Sequence, residues 1–127
     1  MAKQMTLGQL IDVLERKEPT ANVDYAFGYF SPTKFHSWRG AYEQLALGYG
    51  SWTEIGYDKR PTVESLLKLA IAANGETFMG YKGGEYTMDR DNVIWIANDN
   101  EACHSGIADV IEDDGDIVIV PGLFKYF

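Results

Sequence analysis

The side chains best suited to chemistry in this chain lie in one short stretch, residues 35–43. It brings together an imidazole, a hydroxyl, an indole, a guanidinium, a phenol and a carboxylate. These groups belong to His36, Ser37, Trp38, Arg39, Tyr42 and Glu43. A guanidinium suits phosphate or carboxylate, and aromatic faces can stack on a planar base. The stretch therefore predicts a binding site for a phosphorylated or nucleotide-like small molecule.

A second stretch, residues 80–88, has the same mixture of polar and aromatic side chains between glycines. Its candidate ligand-binding residues are Lys82, Glu85 and Tyr86. Backbone N–H groups of a glycine turn, together with a lysine, can hold a phosphate. We expect the two stretches to form one pocket, in which Arg39 and Lys82 hold the anion.

Within this pocket Trp38 and Tyr86 are expected to stack on a ring, while a glutamate accepts hydrogen bonds from a ribose or base. A structural alternative stays open. In it Trp38 and Tyr42 belong to the core, Arg39 pairs with an acidic neighbour, His36 is solvated, and residues 82–85 form only a hairpin turn.

Catalysis has weaker support in the residue pattern. Glu43 or Glu85 with His36 would suffice for acid–base chemistry if they converged, so a nucleotide-processing enzyme is the third hypothesis. No catalytic residue, metal site or cofactor is assigned. Cys103 and His104 are adjacent, but sequence neighbours rarely face each other as nucleophile and base.

The charge of the chain limits its partners. The 127 residues carry a formal net charge of −8, which disfavours direct binding to nucleic acid or to an anionic membrane. It permits an acidic inhibitor that occupies a basic protein surface which normally receives nucleic acid. The acidic segment 112–116 is the densest part of that charge.

The size and the cysteine content indicate a single domain, residues 1–127, in the cytoplasm. This length is sufficient for one domain with a real core. A single cysteine allows no internal disulfide, and no early apolar run resembles a signal peptide.

The apolar periodicity predicts an α+β fold: a largely antiparallel sheet of about six strands with two helices packed on one face. One helix begins after Thr6, with Gln9 completing a capping box, and the other runs from Thr62 to the stop at Asn74. The expected strands are 23–29, 42–49, 77–81, 85–88, 93–97, 107–111 and 117–120. Residues 30–34 are expected to break the sheet at Pro32, and residues 48–60 to form a loop.

The end of the chain is rich in aromatic side chains. Pro121 and Gly122 are expected to turn it away from the last strand. Phe124, Tyr126 and Phe127 then form a patch that tends to be covered, either by the same chain or by a second copy. We expect a homodimer.

Two motifs resemble those of a group of small uncharacterised proteins found in bacteriophage genomes. They are HSWRGAYEQLA at residues 36–46, preceded by Phe27-Gly28, and YKGGEYTM at residues 81–88. The resemblance spans roughly residues 6–97. It implies a phage setting, and in outline the chain is similar to counter-defence proteins. Some of those sequester nucleotide signals, and others block the surface of an immune effector.

Overall fold

A six-stranded sheet forms the framework of the protein, and helices and a separate two-stranded hairpin join it. The computed structural model describes residues 3–39, 44–80, 84–98, 101 and 103–125. The helices are α1 (Leu7–Leu14), α2 (Trp52–Ile55) and α3 (Val63–Ala73), with a 3-10 turn at Tyr57–Lys59. The strands are β1 (Val23–Tyr25), β2 (Phe30–Ser37), β3 (Leu45–Ser51), β4 (Thr77–Met79), β5 (Glu85–Thr87), β6 (Ile94–Ile96), β7 (Ser105–Asp113) and β8 (Asp116–Leu123).

The sheet has the order β1-β8-β7-β6-β3-β2 and is mostly antiparallel, as the sequence predicts. Only the pairs β1–β8 and β3–β6 are parallel. Its two end strands also contact each other, so the sheet curls almost into a barrel. The Ser31 hydroxyl of β2 donates to the Asp24 carboxylate of β1 at 2.6 Å, and the Tyr25 hydroxyl of β1 donates to the Gly48 carbonyl of β3 at 3.0 Å. The first bond joins the two end strands, which form no backbone ladder among the described residues, and the second joins β1 to β3.

The two longer helices begin where their caps predict. Thr6 and Gln9 form a reciprocal capping box at α1, and Thr62 forms one with Ser65 at α3. Each helix buries one apolar stripe in the main core cluster. The helical periodicity of the sequence predicts that the α3 stripe consists of Val63, Leu66, Leu67, Ala70 and Ile71. This is wrong for Ile71, which is 51% exposed. The mixed α+β class is confirmed, and packing of both helices on one face of the sheet stays a prediction.

The predicted break at Pro32 is wrong, because β2 runs through it from Phe30 to Ser37. β2 is the last strand of the sheet order, where a residue without an N–H can be accommodated. The register also shifts between Pro32 and Phe35, which absorbs the irregularity. As a result His36 and Ser37 lie in a strand and not in a binding loop.

Two further element boundaries differ from the prediction. The expected strand 23–29 ends at Tyr25, where the chain turns through Gly28 at φ +53°. The expected loop 48–60 instead continues β3 to Ser51 and then forms α2, which Ser51 and Glu54 cap reciprocally. The pattern that caps this short helix, Ser51 followed by Glu54 three positions later, is visible in the sequence.

The two closing predictions have different outcomes. The β7–β8 hairpin is confirmed and is longer than expected. The turn at Pro121-Gly122 is wrong, since both residues stay in β8 opposite Ile107 and Gly106. Phe124 then packs, half-buried, against the core of its own chain. Among the described residues, no helix combines the length and apolar character needed to cross a bilayer.

Candidate functional site

The two polar-aromatic stretches do come together, at the end of β2 and at the β4–β5 hairpin. The Ser37 hydroxyl lies 2.5 Å from the Met79 carbonyl and 2.8 Å from the Tyr86 hydroxyl. Tyr86 in turn donates to the Gln44 carbonyl at 3.0 Å. We call these four residues the hairpin junction. The two stretches therefore contact each other through hydroxyl groups bonded within the protein, and the ligand pocket expected between them stays a prediction.

Trp38 belongs to the core and does not present a ligand-stacking face. Its indole is 0% exposed and lies parallel to that of Trp95, with ring centroids 4.0 Å apart and an interplanar angle of 5°. The Trp38 ring nitrogen donates to the Cys103 carbonyl at 3.1 Å. Tyr86 is also buried, stacked on Phe78. For Trp38 the structure matches the structural alternative, which placed this ring in the core.

His36 is tied to the backbone. Its Nε2 lies 2.6 Å from the Ala97 carbonyl, and its Nδ1 lies 3.0 Å from the Ser37 carbonyl. The ring is half-buried, so the solvated histidine of the structural alternative is wrong. Both ring nitrogens therefore lie within hydrogen-bond distance of backbone carbonyls of the same chain.

The other predicted ligand-binding residues divide into two groups. Arg39 and Glu85 are exposed at the surface. Tyr42, Glu43 and Lys82 lie outside the described residues. The expected anion contacts and the acid–base pairing of Glu43 with His36 therefore stay predictions.

A second polar cluster surrounds Arg60, just before α3, and includes residues of β1 and β2. The sequence did not predict it. The Arg60 guanidinium is buried and forms an ion pair with the buried Asp24 carboxylate at 2.7 Å. Asp116 lies 3.9 Å from the same guanidinium, and Asn22 accepts from it at 3.3 Å. The second Asp24 oxygen accepts from Ser31. The guanidinium and the carboxylate of this buried ion pair therefore both have further hydrogen-bond partners, which a buried ion pair needs in order to be stable.

Aromatic rings complete this cluster. The guanidinium carbon of Arg60 lies 4.0 Å from the ring centroid of Tyr57 and 4.9 Å from that of Trp52. Both distances are within the range of a cation–π interaction. Trp52 also donates to the Ser31 hydroxyl at 2.9 Å and contacts the ring of Tyr29 at 5.1 Å.

A pocket of about 220 Å³ opens beside this cluster. We call it the acidic-aromatic pocket. Its walls include Asp24, Tyr29, Trp52, Asp113 and Asp116. The sequence held two signals for it: Trp52 and Tyr57 close to Arg60, and the acidic turn at 112–116. Neither indicated the other, because about 50 residues of chain separate them and the β1–β8 pairing brings them together.

A third polar group fixes the loop after β6. The Tyr49 hydroxyl donates to the Glu101 carboxylate at 2.8 Å, and the same carboxylate accepts from the Asn98 backbone. Burial, and then the bond to Glu101, raise the pKa of Tyr49 to about 12. Burial also raises the pKa of Tyr25 well above its ordinary value.

In the described part of the chain, no three His, Cys, Asp or Glu side chains lie close enough together to hold a metal ion. Cys103 is exposed, with its sulfur 3.2 Å from the Ile96 carbonyl. The His104 ring lies edge-on to both stacked indoles. Comparison with protein-family models, with curated proteins and with solved structures finds no match.

Proposed function

We propose that this protein is a non-catalytic binding protein whose acidic surface engages the basic surface of a protein partner. The observation that carries the proposal is the arrangement of charge. Several basic side chains are paired with carboxylates of their own chain, while the whole chain has a net charge of −8. The pairs are Lys17–Glu112, Arg60–Asp24, Lys68–Glu64 and Arg90–Asp12.

Each pair neutralises one positive and one negative charge, so the net charge of −8 comes from the other ionised groups, among which carboxylates are in excess and dominate the field outside the molecule. An acidic field steers association with basic surfaces and accelerates their encounter. In this proposal α1 and α3 cover one face of the sheet and take no part in binding. The resemblance to phage proteins supports the setting, in which the partner is a nucleic-acid-binding immune effector in the cytoplasm of the host and the role is counter-defence.

The test is capture of partners from a bacterial host lysate by the immobilised protein, at low and at high salt and with or without duplex DNA. We expect a nucleic-acid-binding protein to be retained at low salt and released both by salt and by DNA. The variant with Asp113→Asn and Asp114→Asn, two exposed positions, tests the role of the charge and should retain less of the partner than the wild-type protein. Retention that salt and DNA leave unchanged would contradict the proposal.

A second candidate function, favoured by the convergence at the hairpin junction, is sequestration of a nucleotide-like ligand. The bond between Ser37 and Tyr86 joins residues two and one positions away from Arg39 and Glu85, respectively, which supports this candidate. Arg39 and Lys82 would hold the anion, and Glu43 or Glu85 would accept from a ribose or base. Calorimetry with linear and cyclic nucleotides tests it. Arg39→Ala should weaken binding by about 1–3 kcal/mol, and no heat with any nucleotide would exclude it.

A further inference from the structure

We propose that the acidic-aromatic pocket is a receptor for one arginine side chain of the basic protein partner. The inference rests on the proposed function, because it names the place on the acidic surface at which an arginine of that partner binds. The pocket is defined by carboxylates from β1, β7 and β8 and by the rings of Tyr29 and Trp52. Its volume of about 220 Å³ lies below the roughly 300–1,000 Å³ of drug-sized ligand pockets and suits a single long side chain.

Two acidic residues of the pocket rim are paired across the β7–β8 hairpin. Asp113 and Asp116 are directly opposite in the register of the β7–β8 hairpin. Like charges opposed across a pair of strands destabilise it, so a cation between them relieves repulsion. Arg60 offsets this only in part, because its guanidinium lies 3.9 Å from Asp116 and bonds to Asp24 at 2.7 Å. Asp113 is exposed and lies in no ion pair within the described chain.

The aromatic walls favour a guanidinium over other cations. Tyr29 is 72% exposed and its ring contacts that of Trp52. Planar guanidinium groups stack on aromatic faces and bond carboxylates in pairs, whereas an ammonium is a compact, strongly hydrated charge. Arg60 shows the same recognition inside the protein, since Trp52 contacts its guanidinium and Asp24 and Asp116 are its carboxylate partners. The described carboxylates are not grouped closely enough to hold a metal ion instead.

The test is an NMR titration of labelled protein with the capped tripeptide Gly-Arg-Gly, with its citrulline analogue as the uncharged control. We expect the arginine peptide to shift the indole N–H signal of Trp52 and the amide of Gly28. The citrulline peptide should leave both signals unchanged. A third peptide, with lysine in place of arginine, should bind more weakly than the arginine peptide. Equal effects of the arginine and citrulline peptides, or no shift at these signals, would overturn the proposal.

Two neighbouring carboxylates provide a matched control. Asp113 lines the pocket, whereas Asp114 is not among its walls, and both are exposed. Asp114 has φ +52°, which asparagine tolerates well. Asp113→Asn should weaken binding of the arginine peptide about threefold to tenfold, Tyr29→Ala about twofold to fivefold, and Asp114→Asn less than twofold.

The same variants separate the two proposals. Equal losses from Asp113→Asn and Asp114→Asn would show general charge attraction, which overturns the arginine pocket and leaves the acidic binding surface intact. Absence of any salt-dependent basic partner, with the arginine peptide still bound in the pocket, would overturn the proposed function alone.

Discussion

At the scale of single residues, the polar side chains of this protein mostly hold the fold together. Tyr49 is an example. Its hydroxyl connects β3 to Glu101 in the loop after β6, and Glu101 in turn accepts from the Asn98 backbone. A hydrogen bond from a phenol to a carboxylate contributes only while the phenol keeps its proton. The bond therefore makes stability depend on pH in a range far above neutrality.

The prediction is that Tyr49→Phe lowers the free energy of unfolding by about 1–3 kcal/mol at neutral pH, since a bond to a charged acceptor is lost. The pKa of Tyr49 rises from 10.0 to about 12 on folding, so its contribution is complete below pH 10 and is lost as the pH approaches 12. Chemical denaturation of both proteins from pH 8 to about pH 12 measures the difference. Tyr25 is present in both proteins, so its titration largely cancels in that difference. A difference that stays constant across this range would contradict the assignment.

Among the secondary-structure elements, α1 packs closely against the polar turn that follows β5, and this contact fixes the position of the helix. Gly8 is buried, and its N–H donates to the Arg90 carbonyl at 2.9 Å. A Cβ built on Gly8 would lie 2.9 Å from the Arg90 Cβ and 3.0 Å from the Arg90 carbonyl oxygen. The glycine is therefore a packing requirement of the helix.

We predict that Gly8→Ala destabilises the protein, although alanine in a free helix is favoured by about 1 kcal/mol. Because the obstructing atoms belong to the backbone and Cβ of residue 90, the turn must shift, and overpacking of this kind costs about 1–3 kcal/mol. Thermal and urea unfolding measure the net loss. Arg90→Ala is the control: it keeps the obstructing Cβ and carbonyl, so it should not rescue Gly8→Ala. An increase in stability of Gly8→Ala would show that the turn yields freely.

For the molecule as a whole, one of the three aromatic residues on which the expected homodimer was based, Phe124, packs within its own chain. Phe124 packs against the stacked indoles of its own chain, while Tyr126 and Phe127 lie outside the described residues. Leu123 is 86% exposed, the highest value among the large apolar residues in the described part of the chain. The dimer stays a prediction, and any contact that forms it is expected to include Leu123 and the terminal residues.

Light scattering over a range of concentrations should give about twice the chain mass of 14.2 kDa. Leu123→Ser and removal of residues 126–127 should return the mass to that of one chain without lowering stability. Phe124→Ala is the contrasting variant, because it exposes the Trp38–Trp95 pair. It should lower stability and change tryptophan fluorescence whatever the oligomeric state. A wild-type mass of one chain at every concentration would refute the dimer.

Local signals in the sequence determined the parts of the fold that depend on near neighbours. A capping box joins residues three positions apart, so the starts of α1 and α3 were predictable from Thr6 and Thr62. The β4–β5 hairpin and the buried strand β6 followed equally from turn glycines and an apolar run. For the same reason the convergence of the two polar-aromatic stretches could be proposed, but not what each side chain would contact.

The tertiary structure decided burial and pairing between distant residues. Trp38 has the same sequence context whether it faces a ligand or a second indole, and only the β3–β6 and β6–β7 pairings place Trp95 in its part of the core. Asp24 and Arg60 are likewise 36 positions apart, and their ion pair exists because the curled sheet brings β1 against β2 while Arg60 leads into α3. Such contacts depend on which surfaces the whole chain removes from water, and no local pattern of residue types carries that information.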